Sequence, residues 1–471
     1  MASDFLYQSL EKWLLQGIQQ QRWQAGSKLP SIRSLCREKN LSKATVMHAL
    51  QRLEAKGIIE ARPKAGYYVK YRSKPVAQPT VHNEIKAPRS VNSKDLLLDI
   101  MQRSAAFDLC PDPSKELQPQ GVVELNRAIG RALRQPRGGY HQYYDDPAGT
   151  LFLREQLAIH YSRRGLPVST NELCITSGCQ HALFLALMAC CNAGDTVAVE
   201  SPGFYGVLQL LEQFQLKVVE VPSSPKQGMD MDALDEILQR WPVKACIVSP
   251  AFATPTGAVM PTPARDKLLS LAERFDLAVI EDDIYADTAF GETPDPLKAM
   301  DTDNRVILCS SFSKSLSRDL RVGWISGGRW HEKITRMKLV TQLSSNHANQ
   351  QGIASFMAEG LFLSHLKRQR KVLQNNRDHL MNQLLQWNCE LKFSLPEGGL
   401  ALWVELPEQI DTLAHYNELL ELDIVITPGT LFSISGRYAN CMRLSYCHTW
   451  DERRVSALGI LQERLLLAKD A

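Results

Sequence analysis

Apolar positions change their spacing along this chain in a way that separates it into parts. Near the N-terminus Phe5, Leu6, Leu10, Trp13, Leu14 and Ile18 recur at helical intervals, which predicts an amphipathic helix over about 5–21. AGSKLP interrupts that pattern. Ser31 then stands as an N-cap before a second helix, SIRSLCREK, in which Ile32, Leu35 and Cys36 share a face. Asn40 and Leu41 make a turn, and Ser42 caps a third helix with Val46, Leu50 and Leu53 inward and Gly57 suited to its C-terminal end. IIEARPKAGYYV follows as two short β runs around RPKAG, a hairpin.

From about residue 94 the pattern is different. Short apolar runs (TVAVES, ACIVSPAF, LAVIEDDIY, RVILCSSFS and RVGWISGG) alternate with helical stretches such as HALFLALMACC and PARDKLLSLAERF. Buried parallel strands with helical crossovers are the economical explanation. After about residue 330 long helices are expected, notably over 331–377, and then a smaller α+β part containing GGLALWVEL and CMRLSYC. Between the two patterned regions, 72–93 carries three prolines, few large apolar residues and no period, which reads as a mobile linker. The expected division is 1–71, a linker 72–93, and 94–471, the last with a large part to about 330 and a small part beyond it.

Composition narrows this picture. At 471 residues the chain is too long for one core, so two or three domains are expected. No run approaches 18 apolar residues and the N-terminus lacks an export layout, so a cytoplasmic protein without a membrane partner is expected. The eleven cysteines are scattered, with no CxxC pair and no zinc spacing, and no metal is expected. Charge is unevenly spread. Residues 1–75 hold 14 basic and 5 acidic side chains, giving +9, while the other 40 basic and 46 acidic residues give −6. A basic head on a mildly acidic body suits a polyanion at one end.

Helix, helix, tight turn, helix and hairpin make a winged helix-turn-helix. LPSIRSL, LSKATVMHALQRLEAKGII and ARPKAGYYV resemble, in order and spacing, the GntR family of bacterial regulators. Ser42, Lys43, Thr45 and His48 occupy the exposed start of the third helix, where a recognition helix meets base edges. Arg33 and Lys64 are expected towards phosphates, and Arg62 and Gly66 in the wing. Taken singly, each is an ordinary surface residue; the ensemble points to double-stranded operator DNA.

The stretch SSFSKSLSRDLRVGW, 310–324, poses a separate question. A lysine at the end of a buried strand, Lys314, can form an imine with an aldehyde cofactor. Pyridoxal 5′-phosphate (PLP) would also need amides at a helix start, a cation, a carboxylate for its ring nitrogen, a hydroxyl for its ring oxygen and an aromatic plate. ITSGCQHALFLAL places Ser177, Gly178 and Cys179 where a strand enters a helix. Ser311 and Arg321 supply a hydroxyl and a cation, Asp282 and Tyr285 the carboxylate and phenol, and Phe204 and Tyr205 an aromatic pair. Each alone has a plainer reading: a surface lysine, a capping carboxylate, a core ring.

Taken together, SGCQHAL, ESPGFYG, TPTG, EDDIY, SFSKSLSRDLRVGW and RLSY resemble the fold-type I PLP enzymes, the aspartate aminotransferase superfamily, over 95–471. The resemblance implies an α/β PLP-transferase fold with Lys314 as Schiff-base lysine, Asp282 pairing with the ring nitrogen and Tyr285 bonding the ring oxygen. Ser177, Gly178, Cys179, Ser311 and Arg321 would hold the phosphate and Phe204 would stack on the ring. Tyr144 would reach the phosphate of a partner subunit's cofactor, and Arg443 would clamp an amino acid's carboxylate. Two positions depart from the superfamily. Thr254 stands where Asn is usual and Cys179 where Ser or Thr is common, each departure worth a hydrogen bond of ~1 kcal/mol.

Winged helix, linker and aminotransferase-like domain together resemble the MocR subfamily of GntR regulators. That implies a homodimeric transcriptional regulator that binds PLP, senses PLP or an amino-acid or amine effector, and reports it to its DNA-binding heads. The alternative is a working aminotransferase with an accessory or autoregulatory DNA-binding domain, and a third reading is a dimerisation scaffold that no longer binds PLP.

Overall fold

The structure, a computed structural model of the chain, describes all residues except 1–5, 20–21, 24–25, 56–57, 63–65, 70–75, 92–99, 101, 103–106, 113–117, 136–138, 140–141, 388 and 468–471. It divides into two compact units, Met1–Val76 and Ala77–Ala471. Among the described residues no helix is long and apolar enough to cross a membrane.

In the first unit three helices, α1 (Leu6–Gln19), α2 (Ile32–Lys39) and α3 (Lys43–Ala55), precede the hairpin of β1 (Ile59–Arg62) and β2 (Gly66–Val69). The Ser31 hydroxyl accepts the Ser34 amide at 3.2 Å to open α2, and Asn40, at φ +51°, closes it. Ser42 accepts the Thr45 amide at 3.1 Å to open α3. Leu10, Leu14, Leu35, Val46, Leu50, Leu53, Ile59 and Val69 form one buried core. Three helices and a two-stranded wing thus share a single apolar centre. The predicted Gly57 stop lies outside the described residues.

The second unit is built on a mixed sheet. Its path runs β3 (Arg89–Ser90), β6 (Lys217–Ser224), β5 (Thr196–Ser201), β8 (Val243–Val248), β11 (Ala278–Asp282), β12 (Val306–Ser311), β13 (Gly323–Ser326) and β4 (Cys174–Thr176), with β7 (Gly228–Met229) on β6. From β6 to β12 the neighbours are parallel. RVGWISGG is not a further parallel strand: β13 runs antiparallel to β12, because 312–322 turns straight back without a crossover helix. Helix Cys179–Cys190 covers one face, and Met231–Arg240 and Thr262–Arg274 cover the other. The expected helical run 331–377 is three helices, His331–Gln342, His347–Ala358 and Leu361–Leu384, broken where Leu343 and Gly360 take positive φ. A small sheet of β14 (Lys392–Phe393), β15 (Ala401–Glu405), β17 (Cys441–Ser445) and β16 (Thr427–Pro428) follows.

The stretch read as a mobile linker divides. Residues 77–91 are held along the second unit. The Phe393 amide donates to Ala77 O at 3.2 Å, the Thr80 hydroxyl donates to Glu405 at 2.8 Å, and the His82 ring meets Tyr438 edge-on. The Arg437 guanidinium donates to Glu84 O at 2.6 Å, and Arg89–Ser90 pairs with β6. Lys392 joins Thr80 and Glu405 in one polar knot. Residues 72–75, 92 and 93 of the expected linker lie outside the described residues.

Candidate functional site

Parallel strands present their carboxyl ends on one edge, where backbone direction leaves room for a ligand. Ser177 and Gly178 follow β4, Phe204 follows β5, Asp282 closes β11 and Ser311 closes β12. Thr254 lies in the turn between the short strands Ala251–Ala253 and Ala258–Val259. Lys314 sits in the 312–322 turn. Arg443 comes from the small sheet, on β17 opposite Trp403.

At the anion end, helix Cys179–Cys190 starts from Gly178, whose φ is +85°. A Cβ there would lie 2.4 Å from an Arg321 guanidinium nitrogen, so only glycine lets the cation close over the helix start. Arg321 donates to Ser177 O at 3.1 Å and to the Ser313 hydroxyl at 3.3 Å. Ser311 is buried and its hydroxyl accepts the Ser313 amide at 3.3 Å. Two residues that sequence reasoning missed complete the cup. The Ser177 amide donates to His181 Nδ1 at 3.2 Å, and Gln342 donates to the Ser177 hydroxyl. Burial, with Lys338 near, pushes His181 down to about 4, in keeping with an acceptor nitrogen.

Cys179 is not spent on that cup. Its thiol donates to Asp282 Oδ1 at 3.3 Å, giving the departure from Ser or Thr a partner of its own. Burial raises Asp282 to about 6. Behind it, Asp283 is gripped by both Arg164 guanidinium nitrogens at 2.6 and 2.8 Å and by the Tyr161 hydroxyl at 3.2 Å, with Trp324 donating to Tyr161 at 2.9 Å. This apolar-walled network fixes the end of β11. Tyr285 is buried and bonded to Thr254, and burial raises its phenol well beyond the usual range. Thr254 therefore serves the phenol that the usual Asn would accompany.

Around Lys314 the charges are mostly positive. Loss of hydration, then Arg318 and Arg443, push its ammonium down to about 7. Its Nζ lies 3.8 Å from the centroid of Phe107, a ring that no sequence pattern singled out. Arg318 and Arg443 lie 4.0 and 5.4 Å from the same centroid. Phe204 is partly buried, its ring 5.1 Å from that of Tyr205, at the start of helix Tyr205–Gln213. Tyr144 stays apart from these groups and 78% exposed.

On the DNA-facing candidates, Ser42, Lys43 and His48 are exposed at the start of α3, and Thr45 is half-buried with its hydroxyl 2.8 Å from that of Ser42. The His48 ring leans edge-on against Tyr7 at 4.4 Å. Arg33 is exposed on α2. In the wing, Arg62 is engaged by Glu60 at 2.7 Å and lies 4.1 Å from the Tyr68 ring. Gly66 takes φ +104°, and Lys64 lies outside the described residues.

On this fold Lys314, with the buried Asp282 and Arg443 beside it, fits the aminotransferase class. Residues 112–458 match aminotransferase class I and II, and residues 5–69 match the bacterial regulatory proteins of the gntR family. The chain belongs to the GntR-family transcriptional regulators of MocR type, in which a winged helix precedes an aminotransferase-like domain. It is 36% identical to the HTH-type transcriptional regulator YjiR of Escherichia coli over 98% of this chain and 99% of that one. It is 30% identical to the 2-aminoadipate transaminase of Thermus thermophilus over 74% and 87% of the respective chains. The Pyrococcus horikoshii kynurenine aminotransferase structure superposes with a TM-score of 0.72 at 26% identity, covering 81% of this chain and 96% of that one.

Proposed function

We propose that the second unit binds PLP at Lys314 and that its occupancy, by PLP alone or with an amino acid or amine, sets how the first unit binds operator DNA. The observation that carries this is Lys314 itself, brought near neutrality at about 7 inside a crevice that also holds Asp282 and the Gly178–Arg321 cup. The donor set suits the cofactor. Backbone amides at the helix start, Ser177, Ser311 and Arg321 suit a phosphate, Asp282 suits a protonated ring nitrogen, Tyr285 with Thr254 suits a ring oxygen, and Phe204 suits a ring face. When bound, PLP would supply an electrophilic carbonyl and an electron sink. The chain's residues hold and orient it, keep a nucleophilic amine beside it, and offer Arg443 to a carboxylate.

The 77–91 strap supports the coupling. It touches the small sheet at Phe393 and Glu405 and the large sheet at β6, so movement between those two parts reaches the segment that follows the first unit. A ligand moves such an equilibrium only by binding the two states unequally.

The test is an operator titration with and without PLP, using the wild-type chain and Lys314→Ala. Cofactor-linked control makes only the wild-type curves differ, and a borohydride-fixed adduct maps to Lys314. Four coincident curves sink the proposal. The 2-aminoadipate transaminase likeness, with Asp282, Tyr285, Arg321 and Arg443 all present, favours a second reading as a working aminotransferase. Steady turnover of an amino acid with a keto acid at roughly 1 s⁻¹ or faster would select it.

A further inference from the structure

Three cationic side chains converge on one phenyl ring in the crevice. Phe107 lies 3.8 Å from Lys314 Nζ, 4.0 Å from the Arg318 guanidinium and 5.4 Å from that of Arg443. The arginines come from unconnected places, the 312–322 turn and β17, and the turn is tied to the small part through Arg318 and the Cys447 thiol at 3.4 Å. A neutral ring among three cations is a weak partner, worth about 0.5–2 kcal/mol per contact. A carboxylate offered to a guanidinium in a water-poor cleft gains paired, charge-assisted hydrogen bonds instead. Phe107 is also tethered to move as a unit. Asp108, next to it, is held by the buried Arg454 at 3.0 and 2.8 Å, and Leu109 O accepts the Val425 amide at 2.8 Å, both from the small part.

We propose that Arg318 and Arg443 form a two-carboxylate subsite, that the Phe107 ring fills it in the ligand-free chain, and that the effector is a short α-amino acid bearing a second, side-chain carboxylate. This rests on the reading of the crevice as an amine-sensing site. Arg443 takes the α-carboxylate, the amine lies towards Lys314, and Arg318 takes the second carboxylate after the ring leaves. Because Asp108 and Leu109 are bound to the small part, expelling Phe107 pulls on that part. The subsite therefore selects the ligand and starts the movement.

The probes are L-glutamate and its neutral isostere L-glutamine, titrated by calorimetry into the full chain with and without PLP. The expected result is at least tenfold tighter binding of L-glutamate, collapsing to within about twofold in Arg318→Gln. Phe107→Ala is expected to tighten both ligands several-fold and keep their ratio, since nothing has to be expelled. Equal binding of the two by the wild-type chain, an undiminished preference in Arg318→Gln, or weaker L-glutamate binding by Phe107→Ala each overturns the proposal. The parent reading fails differently: no borohydride-fixed adduct forms at Lys314, whatever the glutamate-to-glutamine ratio of the PLP-free chain.

Discussion

At Asp282 burial lifts the carboxyl to about 6, and at Lys314 lost hydration and two guanidiniums lower the ammonium to about 7, so both groups change charge close to neutrality. For Asp282 the folded value exceeds the ordinary 3.8, so the folded chain holds this proton more tightly than the unfolded one. Its charged form then costs stability progressively as pH rises from 3.8 through 6. Asp282→Asn keeps an acceptor for the Cys179 thiol and is expected to be more stable than wild type by up to about 3 kcal/mol at pH 7.5, with the gain vanishing near pH 3.5. Urea unfolding at the two pH values checks this. For Lys314 the expectation is kinetic. Uptake of PLP should be about tenfold slower at pH 6 than at pH 8 and level off above, whereas an ordinary lysine would still be gaining rate. Stopped-flow absorbance would resolve the two profiles. Both residues were legible in the sequence because each lies in a dense motif at the end of an apolar run, although only Asp282 closes its strand and Lys314 falls in the turn after β12. Phe107 and Arg318 were not. Phe107 reaches the crevice from a distant segment, whereas Arg318 lies four residues past Lys314 inside the quoted motif, and a lone Phe or Arg carries no period that would reveal its part.

Helices and strands were legible where local chemistry is decisive and misread where a turn is short. Ser31, Asn40 and Ser42 mark their helix ends by capping, and the structure uses all three so. Within 331–377 the breaks at Leu343 and Gly360 were overlooked although the sequence marks both: Ser344, Ser345 and Asn346 follow the first, Asn346 accepting the Asn349 amide at 2.9 Å, and a glycine makes the second. Ser42 carries two expectations that can be separated. Ser42→Ala is expected to cost about 1 kcal/mol of first-unit stability by losing the cap, and Ser42→Asp to restore it. The same Asp places a negative charge at the expected DNA face and should weaken operator binding more than tenfold. Melts and band shifts on both variants check the pair; wild-type affinity in Ser42→Asp would place the helix start away from DNA. The 77–91 strap was misread because Pro-rich, non-periodic sequence looks free when its partners lie far along the chain. Glu405, held down by the Thr80 and Lys392 contacts against its burial, anchors it. Glu405→Gln is expected to speed tryptic cleavage at Lys86 and Arg89 several-fold while leaving the far-ultraviolet spectrum unchanged.

Over the whole molecule, charge and exposed apolar surface divide the work. The basic first 75 residues suit a polyanion. The second unit leaves Tyr144 78% exposed and Val340 85% exposed, with Tyr143, Leu339 and Leu343 also in solvent. Leu339, Val340 and Leu343 lie beside the Ser177 cup, where Gln342 touches Ser177 and Thr341 approaches His181, and the loop bearing the tyrosines is tied by Asp145 to His347 at 2.7 Å. A second copy covering these apolar side chains would bring its own Tyr144 to the neighbouring cup. The expectation is a homodimer closed through this face. Val340→Asp, which buries a charge at such a contact, should convert the dimer to monomer in sedimentation velocity. Tyr144→Phe should stay dimeric yet release PLP about tenfold more readily in dialysis, the loss of one hydrogen bond to a charged group. A dimeric Val340→Asp together with wild-type PLP retention in Tyr144→Phe would move the contact elsewhere and leave each cup to be completed by its own chain.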